Sequence, residues 1–200
     1  MGDVNCGQRC CIVRPNPGYQ WLVCGTGLSG TGWAAAILTH LGYPTVHQSP
    51  LTYNGWESDP VKDTGVTSPY ALPHHIAQVP RSLLIVRDPA LYVASAKHGT
   101  LFGAPSDHLR WIRRHFGGLG QPQELDFWSR HLDLYAPLVD QVVRLETITS
   151  DRFYASDVFS RLVNDYICPT DVKTAYDAVG VVNVHNPRMR AAKERYDLLG

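Results

Sequence analysis

A three-layer α/β/α fold around a central parallel sheet is predicted for this chain of 200 residues by three observations. Short, mostly apolar runs recur at Tyr19–Cys24, Ser82–Val86 and Gln141–Leu145. Helix-forming segments separate them, and a glycine-rich bend joins the first run to the first helix. Strands alternating with helices imply parallel pairing, because parallel neighbours need a crossover and are covered on both faces.

The elements follow in order. Residues 1–18 are polar and turn-rich, ending Arg14-Pro-Asn-Pro-Gly18, and read as a tail before a single domain over 19–200. The run Tyr19–Cys24 is stopped by glycines, as expected of a buried strand. Thr31–Leu41, rich in Ala, Leu and Ile, predicts a helix closed by Gly42 at its C-terminus. Pro44–Val46 suits a short strand. Residues 49–70 hold many Pro, Gly, Ser, Asp and Asn, which predicts a long irregular connection of the kind that often selects substrate. After the strand Ser82–Val86, Asp88 is placed to cap a helix with Pro89 in its first turn, running to about Lys97. Further helices are expected at 107–116, 125–138, 157–166, 170–179 and 187–198, with a strand at Gln141–Leu145.

Composition narrows the function classes. The hydrophobic share of 44% and charged share of 18% are those of an ordinary globular protein. Eighteen basic and 18 acidic residues cancel, so no broad field favours nucleic acid or an anionic membrane. No apolar run approaches the roughly 18–20 residues that a spanning helix needs. Met1–Gln8 has neither a basic nor an apolar signal region, and the five cysteines are an odd number. Both point to reduced thiols and a cytoplasmic setting. Cys6, Cys10 and Cys11 lack the second ligand pair of a tetrahedral site, so no metal is expected.

The chemistry concentrates in Gly25-Thr-Gly-Leu-Ser-Gly-Thr-Gly-Trp33. A loop between a strand end and a helix start offers free amides and the positive end of the helix dipole to an anion. Gly27, Gly30 and Gly32 let the backbone approach closely, while Ser29 and Thr31 add hydroxyl donors. The spacing meets the first half of the P-loop pattern G-x-x-x-x-G-K-[ST], but Thr31 replaces the lysine and Gly32 the magnesium-binding hydroxyl. Hydrolysis of Mg-bound ATP or GTP is therefore disfavoured. A second anion site is expected where Arg87 ends a strand and Ser95 follows eight positions later on a helix, fork and hydroxyl on one phosphate.

These segments together resemble the sulfotransferases that use 3′-phosphoadenosine 5′-phosphosulfate (PAPS). Leu22–Trp33 is similar to that family's 5′-phosphosulfate loop, Leu84–Ser95 to its 3′-phosphate motif, and Val143–Thr147 to a strand end of its bacterial and phage members. The resemblance implies a P-loop, sulfotransferase-like fold and transfer of a sulfuryl group from PAPS, without a metal, to a hydroxyl or amine. The acceptor would be a small molecule or a glycan, and adenosine 3′,5′-bisphosphate the product. Gly27 and Ser29–Gly32 would hold the 5′-phosphosulfate; Arg87, Ser95 and the C-terminal Arg188 would bind the 3′-phosphate. Trp33 would either face the adenine or pack into the core. His47 is expected as the base that takes the acceptor proton, with His74 and His75 next, since imidazole titrates near neutrality.

Leu28 departs from the family pattern, which places a Lys or Arg there beside the leaving phosphate. Lys62, Lys97 and Arg113 are the alternative cations, and Lys62 is expected to act with His47 in catalysis. Trp56, Tyr53 and Tyr70 are expected near the acceptor pocket. The chain is shorter than most relatives, so the acceptor side would be either open or completed by a second subunit in a homodimer. Two other readings stay open: a catalytically weak or inactive nucleotide-binding module on the same fold, and an atypical P-loop kinase.

Overall fold

The computed structural model describes residues 14–26, 29–47, 51–52, 55–56, 64–69, 71–92 and 124–180. Its strands are β1 (Trp21–Gly25), β2 (Thr45–His47), β3 (Leu51–Thr52), β4 (Gly55–Trp56), β5 (Gly65–Ser68), β6 (Arg81–Val86) and β7 (Gln141–Arg144). Five of them form a parallel sheet in the order β2-β5-β1-β6-β7, while β3 and β4 make a small antiparallel hairpin. The helices are α1 (Thr31–His40), α2 (Pro73–Ile76), α3 (Glu124–Tyr135, continued by a 3₁₀ turn), α4 (Leu145–Ser150), α5 (Arg152–Val163) and α6 (Pro169–Val179). The α/β class read from the sequence is the one observed.

Both faces of the sheet are buried, as alternation along a strand requires. Trp21 and Val23 of β1 join Leu83 and Ile85 of β6 beneath α1, α4, α5 and α6. Leu22, Cys24 and Leu84 point the other way, to Trp56, Leu72, Ile76, Tyr92 and Tyr135. Each fully buried Leu or Ile contributes about 1.5–3 kcal/mol, so these two clusters dominate the stability. At the N-terminal edge, Asp140 Oδ2 accepts from the Ser82 amide (2.6 Å) and hydroxyl (2.9 Å), which ties the start of β7 to β6.

Three expectations need correction. Residues 49–70 are not wholly irregular: they contain the hairpin and β5, which lies inside the sheet between β2 and β1. β5 reads Gly-Val-Thr-Ser, and its polar residues carry no apolar period; neighbours on both sides bury Thr67 and Ser68 completely. Gly65 is needed there because a Cβ would overlap the Trp21 indole, 1.6 Å from its Nε1. Trp56 stacks on Tyr19 at 5.2 Å and is buried, so it anchors the hairpin rather than lining an open pocket. Finally, α5 begins at Arg152 instead of 157, because the Asp151 carboxylate accepts from the amides of Phe153 (2.9 Å) and Tyr154 (3.1 Å). It stops at Asn164, which takes a left-handed conformation with φ 59°.

The topology has a switch point between β1 and β6. The chain leaving β1 turns into α1 on one face, whereas β6 is linked to β7 through α3, whose Tyr135 packs on the other face. In open α/β sheets, ligands bind beyond the carboxyl ends of strands where the connections diverge in this way. No helix among the described residues is long and apolar enough to cross a membrane.

Candidate functional site

Register sets the components side by side. Gly25 pairs with Ile85 and Ile85 with Val143, so the bend after β1, Arg87 after β6 and Leu145 after β7 emerge on one edge of three adjacent strands.

The bend is tightly built. The Ser29 amide donates to the Thr26 carbonyl at 3.0 Å, so it is not among the donors left for an anion, contrary to expectation. The Ser29 hydroxyl lies over Gly25, where a Cβ would stand 2.1 Å from Oγ and 2.7 Å from the Ile85 carbonyl. Ser29 and Thr26 are buried, and both hydroxyl oxygens lack a hydrogen-bond partner among the described residues. Such orphaned groups cost stability unless something else satisfies them. Gly30 is the N-cap of α1, with φ 85° and no side-chain cap. The amides of Thr31, Gly32 and Trp33 are therefore left at the positive end of the helix. An anion would satisfy the donors of this bend and complement the dipole, so the residues fit a phosphate or phosphosulfate group.

Arg87 follows directly on β6 and is buried, at 7% exposure. Burial lowers its pKa, and the charges of Glu146 and Asp88 oppose that shift. The guanidinium stays cationic, as arginine does in proteins. Its carbonyl accepts from Trp128 Nε1 at 3.0 Å, and Glu146 Oε1 accepts from the Asp88 amide at 3.1 Å. Glu146 thus holds the segment after β6 in place. Asp88 Oδ1 accepts from the amides of Ala90 (2.8 Å) and Leu91 (3.1 Å), capping the helical turn over 89–92.

His47 ends β2 two strands from the bend, yet its ring reaches it. Nδ1 lies 2.9 Å from Thr67 Oγ1, while Nε2 is 3.3 Å from where a Cβ on Gly32 would stand. Burial of the ring lowers its pKa, partly offset by a hydrogen bond to the Thr67 backbone. The residue as a whole retains access to solvent. This contact explains why Gly32 occupies the first turn of α1: a side chain there would press on the imidazole.

The other histidines are placed differently. His75 is fully buried; its Nδ1 accepts from the Leu72 amide at 2.9 Å, and its ring meets Trp56 edge-on at 5.4 Å. That is a structural use. Burial lowers the pKa of neighbouring His74. Trp33 resolves to the core: it is 8% exposed, packs against Tyr176 at 5.4 Å, and donates from Nε1 to the Gly180 carbonyl at 3.3 Å. Its burial is accounted for without an adenine. Thr67, which sequence reasoning passed over, meets His47 only because β5 lies next to β2.

Gly27, Leu28, Lys62, Ser95, Lys97, Arg113 and Arg188 lie outside the described residues, as do Tyr53, Tyr70, the helices expected at 107–116 and 187–198, and Cys6, Cys10 and Cys11. Among the described residues, no group of three or more His, Cys, Asp or Glu is arranged to hold a metal.

No protein-family model and no curated protein matches this chain. Among solved structures, the fold is similar to that of mouse sulfotransferase SULT7A1 complexed with PAP, with a TM-score of 0.53 and 10% identity. The match covers 86% of this chain and 68% of that one. At such identity the likeness is one of architecture, and on that level the chain has a sulfotransferase-like α/β fold.

Proposed function

We propose that this protein is a PAPS-dependent sulfotransferase acting on a hydroxyl or amine of a small-molecule or glycan acceptor. One observation carries the reading: the uncapped start of α1, with the orphaned hydroxyls of Thr26 and Ser29 in the bend before it, shares a sheet edge with the buried cation of Arg87. Two anion-seeking features on one edge suit a nucleotide with phosphate at both its 5′ and 3′ positions.

In this reading Gly30–Gly32 and the neighbouring hydroxyls hold the 5′-phosphosulfate, and Arg87, with Ser95 and Arg188, the 3′-phosphate. When bound, PAPS supplies a sulfuryl group attached to a good phosphate leaving group. The protein's own part is electrostatic and proton-handling. The positive end of α1 favours negative charge at the bend. His47 Nε2, neutral at physiological pH, takes the proton from the acceptor hydroxyl. Lys62 is the proposed cation in place of the one missing at Leu28.

The test is differential thermal stabilisation of the full chain by adenosine 3′,5′-bisphosphate, AMP and Mg·ATP. A ligand at a hundred times its Kd adds about 2.7 kcal/mol of stability. The bisphosphate is expected to stabilise well beyond AMP, and Arg87→Ala to erase most of that gap. Comparing ligands within each variant removes any effect of the substitution on the fold itself. Equal stabilisation by bisphosphate and AMP overturns the reading, and preference for Mg·ATP promotes a kinase.

Leu28 supports a second reading, a nucleotide-binding module with little turnover. Bisphosphate binding without any conversion of PAPS, whatever acceptor is offered, decides for it.

A further inference from the structure

His47 and Thr67 are paired in register on neighbouring parallel strands, each one step from the carboxyl edge of the sheet or at it. The two imidazole nitrogens therefore see different surroundings. Nδ1 faces Thr67 Oγ1 at 2.9 Å, inside the sheet layer, and Nε2 faces the first turn of α1 beside Gly32. Thr67 is fully buried, so its hydroxyl has no water to turn to. Its β-branched side chain is stiff at χ1, which fixes where Oγ1 stands.

We propose that Thr67 is a positioning residue: it holds the proton of His47 on Nδ1 and so aims the Nε2 lone pair at the glycine bend, with Gly32 leaving room for the ring. The inference rests on the reading of His47 as the proton acceptor. A threonine hydroxyl either gives or takes a hydrogen bond, so Oγ1 alone leaves the tautomer open. The reading of His47 as the base decides it: Nε2 is the nitrogen that faces the bend, so it must keep its lone pair, and the hydrogen sits on Nδ1, where Thr67 Oγ1 accepts it. The remaining nitrogen is then a base, and it lies where an acceptor hydroxyl must come to meet a sulfuryl group held by the bend. In the P-loop pattern the position of Gly32 carries a magnesium-binding hydroxyl; here its absence makes space for an imidazole.

The experiment is nitrogen-15 NMR of the histidine rings in the full chain, for wild type, Thr67→Ser and Thr67→Val, with His47 assigned by its loss in His47→Gln. Wild type and Thr67→Ser are expected to show one tautomer, protonated on Nδ1. Thr67→Val is expected to show both tautomers, with PAPS turnover reduced about tenfold and affinity for adenosine 3′,5′-bisphosphate unchanged. A wild-type ring protonated on Nε2 overturns the proposal, and this holds even if the valine variant fails to fold. So does a valine variant whose tautomer matches wild type. Failure of the bisphosphate to bind wild type sinks the donor reading instead, a result the tautomer measurement does not share.

Discussion

Gly30 packs its Cα directly onto Leu145: a Cβ at Gly30 would stand 2.6 Å from Leu145 Cδ1, on a backbone whose φ is 85°. Sequence separates these residues by more than half the chain, and the pairing of β1, β6 and β7 brings them together. Two penalties coincide at this glycine, a left-handed backbone and an occupied volume. Gly30→Ala is expected to lose about 2–3 kcal/mol in chemical denaturation. Combining it with Leu145→Ala should recover part of the overlap term, giving a double mutant more stable than the sum of the single losses predicts. Strict additivity means that the two residues do not touch.

The pH dependence follows from His47. Burial lowers its pKa below the usual 6.5, so the fold favours the neutral ring. Its contribution to stability is complete above 6.5 and declines as pH falls from there through the lower folded value. A neutral base also gives a rate that is level above 6.5 and falls on the acid side with a midpoint below it. The profile of PAPS conversion against pH checks this. His47→Ala should abolish that acid limb together with most of the rate while bisphosphate affinity is kept; an unchanged rate removes His47 as the base.

Leu28 stands where the resembled family places a cation. Losing one positioned electrostatic donor costs about a hundredfold to a thousandfold in rate. Leu28→Lys or Leu28→Arg is therefore expected to raise conversion of PAPS to adenosine 3′,5′-bisphosphate, measured by nucleotide chromatography. Complete loss of conversion shows that the bend has been aligned wrongly with the family's loop.

Trp33 separates a core role from an adenine contact. Trp33→Phe keeps most of the packing against Tyr176 and Phe159 but removes the hydrogen bond to the Gly180 carbonyl. A loss of about 1 kcal/mol in stability is expected, with bisphosphate affinity unaltered. A tenfold weaker affinity, measured by calorimetry, returns Trp33 to the nucleotide.

Much of the layer architecture was legible in local pattern. The apolar runs of β1, β6 and β7 and the glycine bend before α1 announced themselves, because a strand buried on both faces and a helix start carry signals in a few consecutive residues. Asp88 is another such case: its capping carboxylate and the proline after it are one local motif. β5 was hidden for the opposite reason. Its threonine and serine look like loop residues until strands on either side exclude water from them. α5 starts earlier than its apolar residues alone suggest, because the Asp151 carboxylate caps the amides of Phe153 and Tyr154.

By itself, then, the sequence determined the apolar strands β1, β6 and β7 and the helix α1, and that a bend able to receive an anion follows the first of them. The tertiary structure alone decided that Arg87 shares an edge with that bend, that Trp33 is withdrawn into the core, and that Thr67 and Gly32 lie on opposite sides of the His47 ring. Secondary structure is dictated by contacts a few residues apart. Strand order, by contrast, is chosen by burial summed over the whole sheet, and no short window of residues contains it.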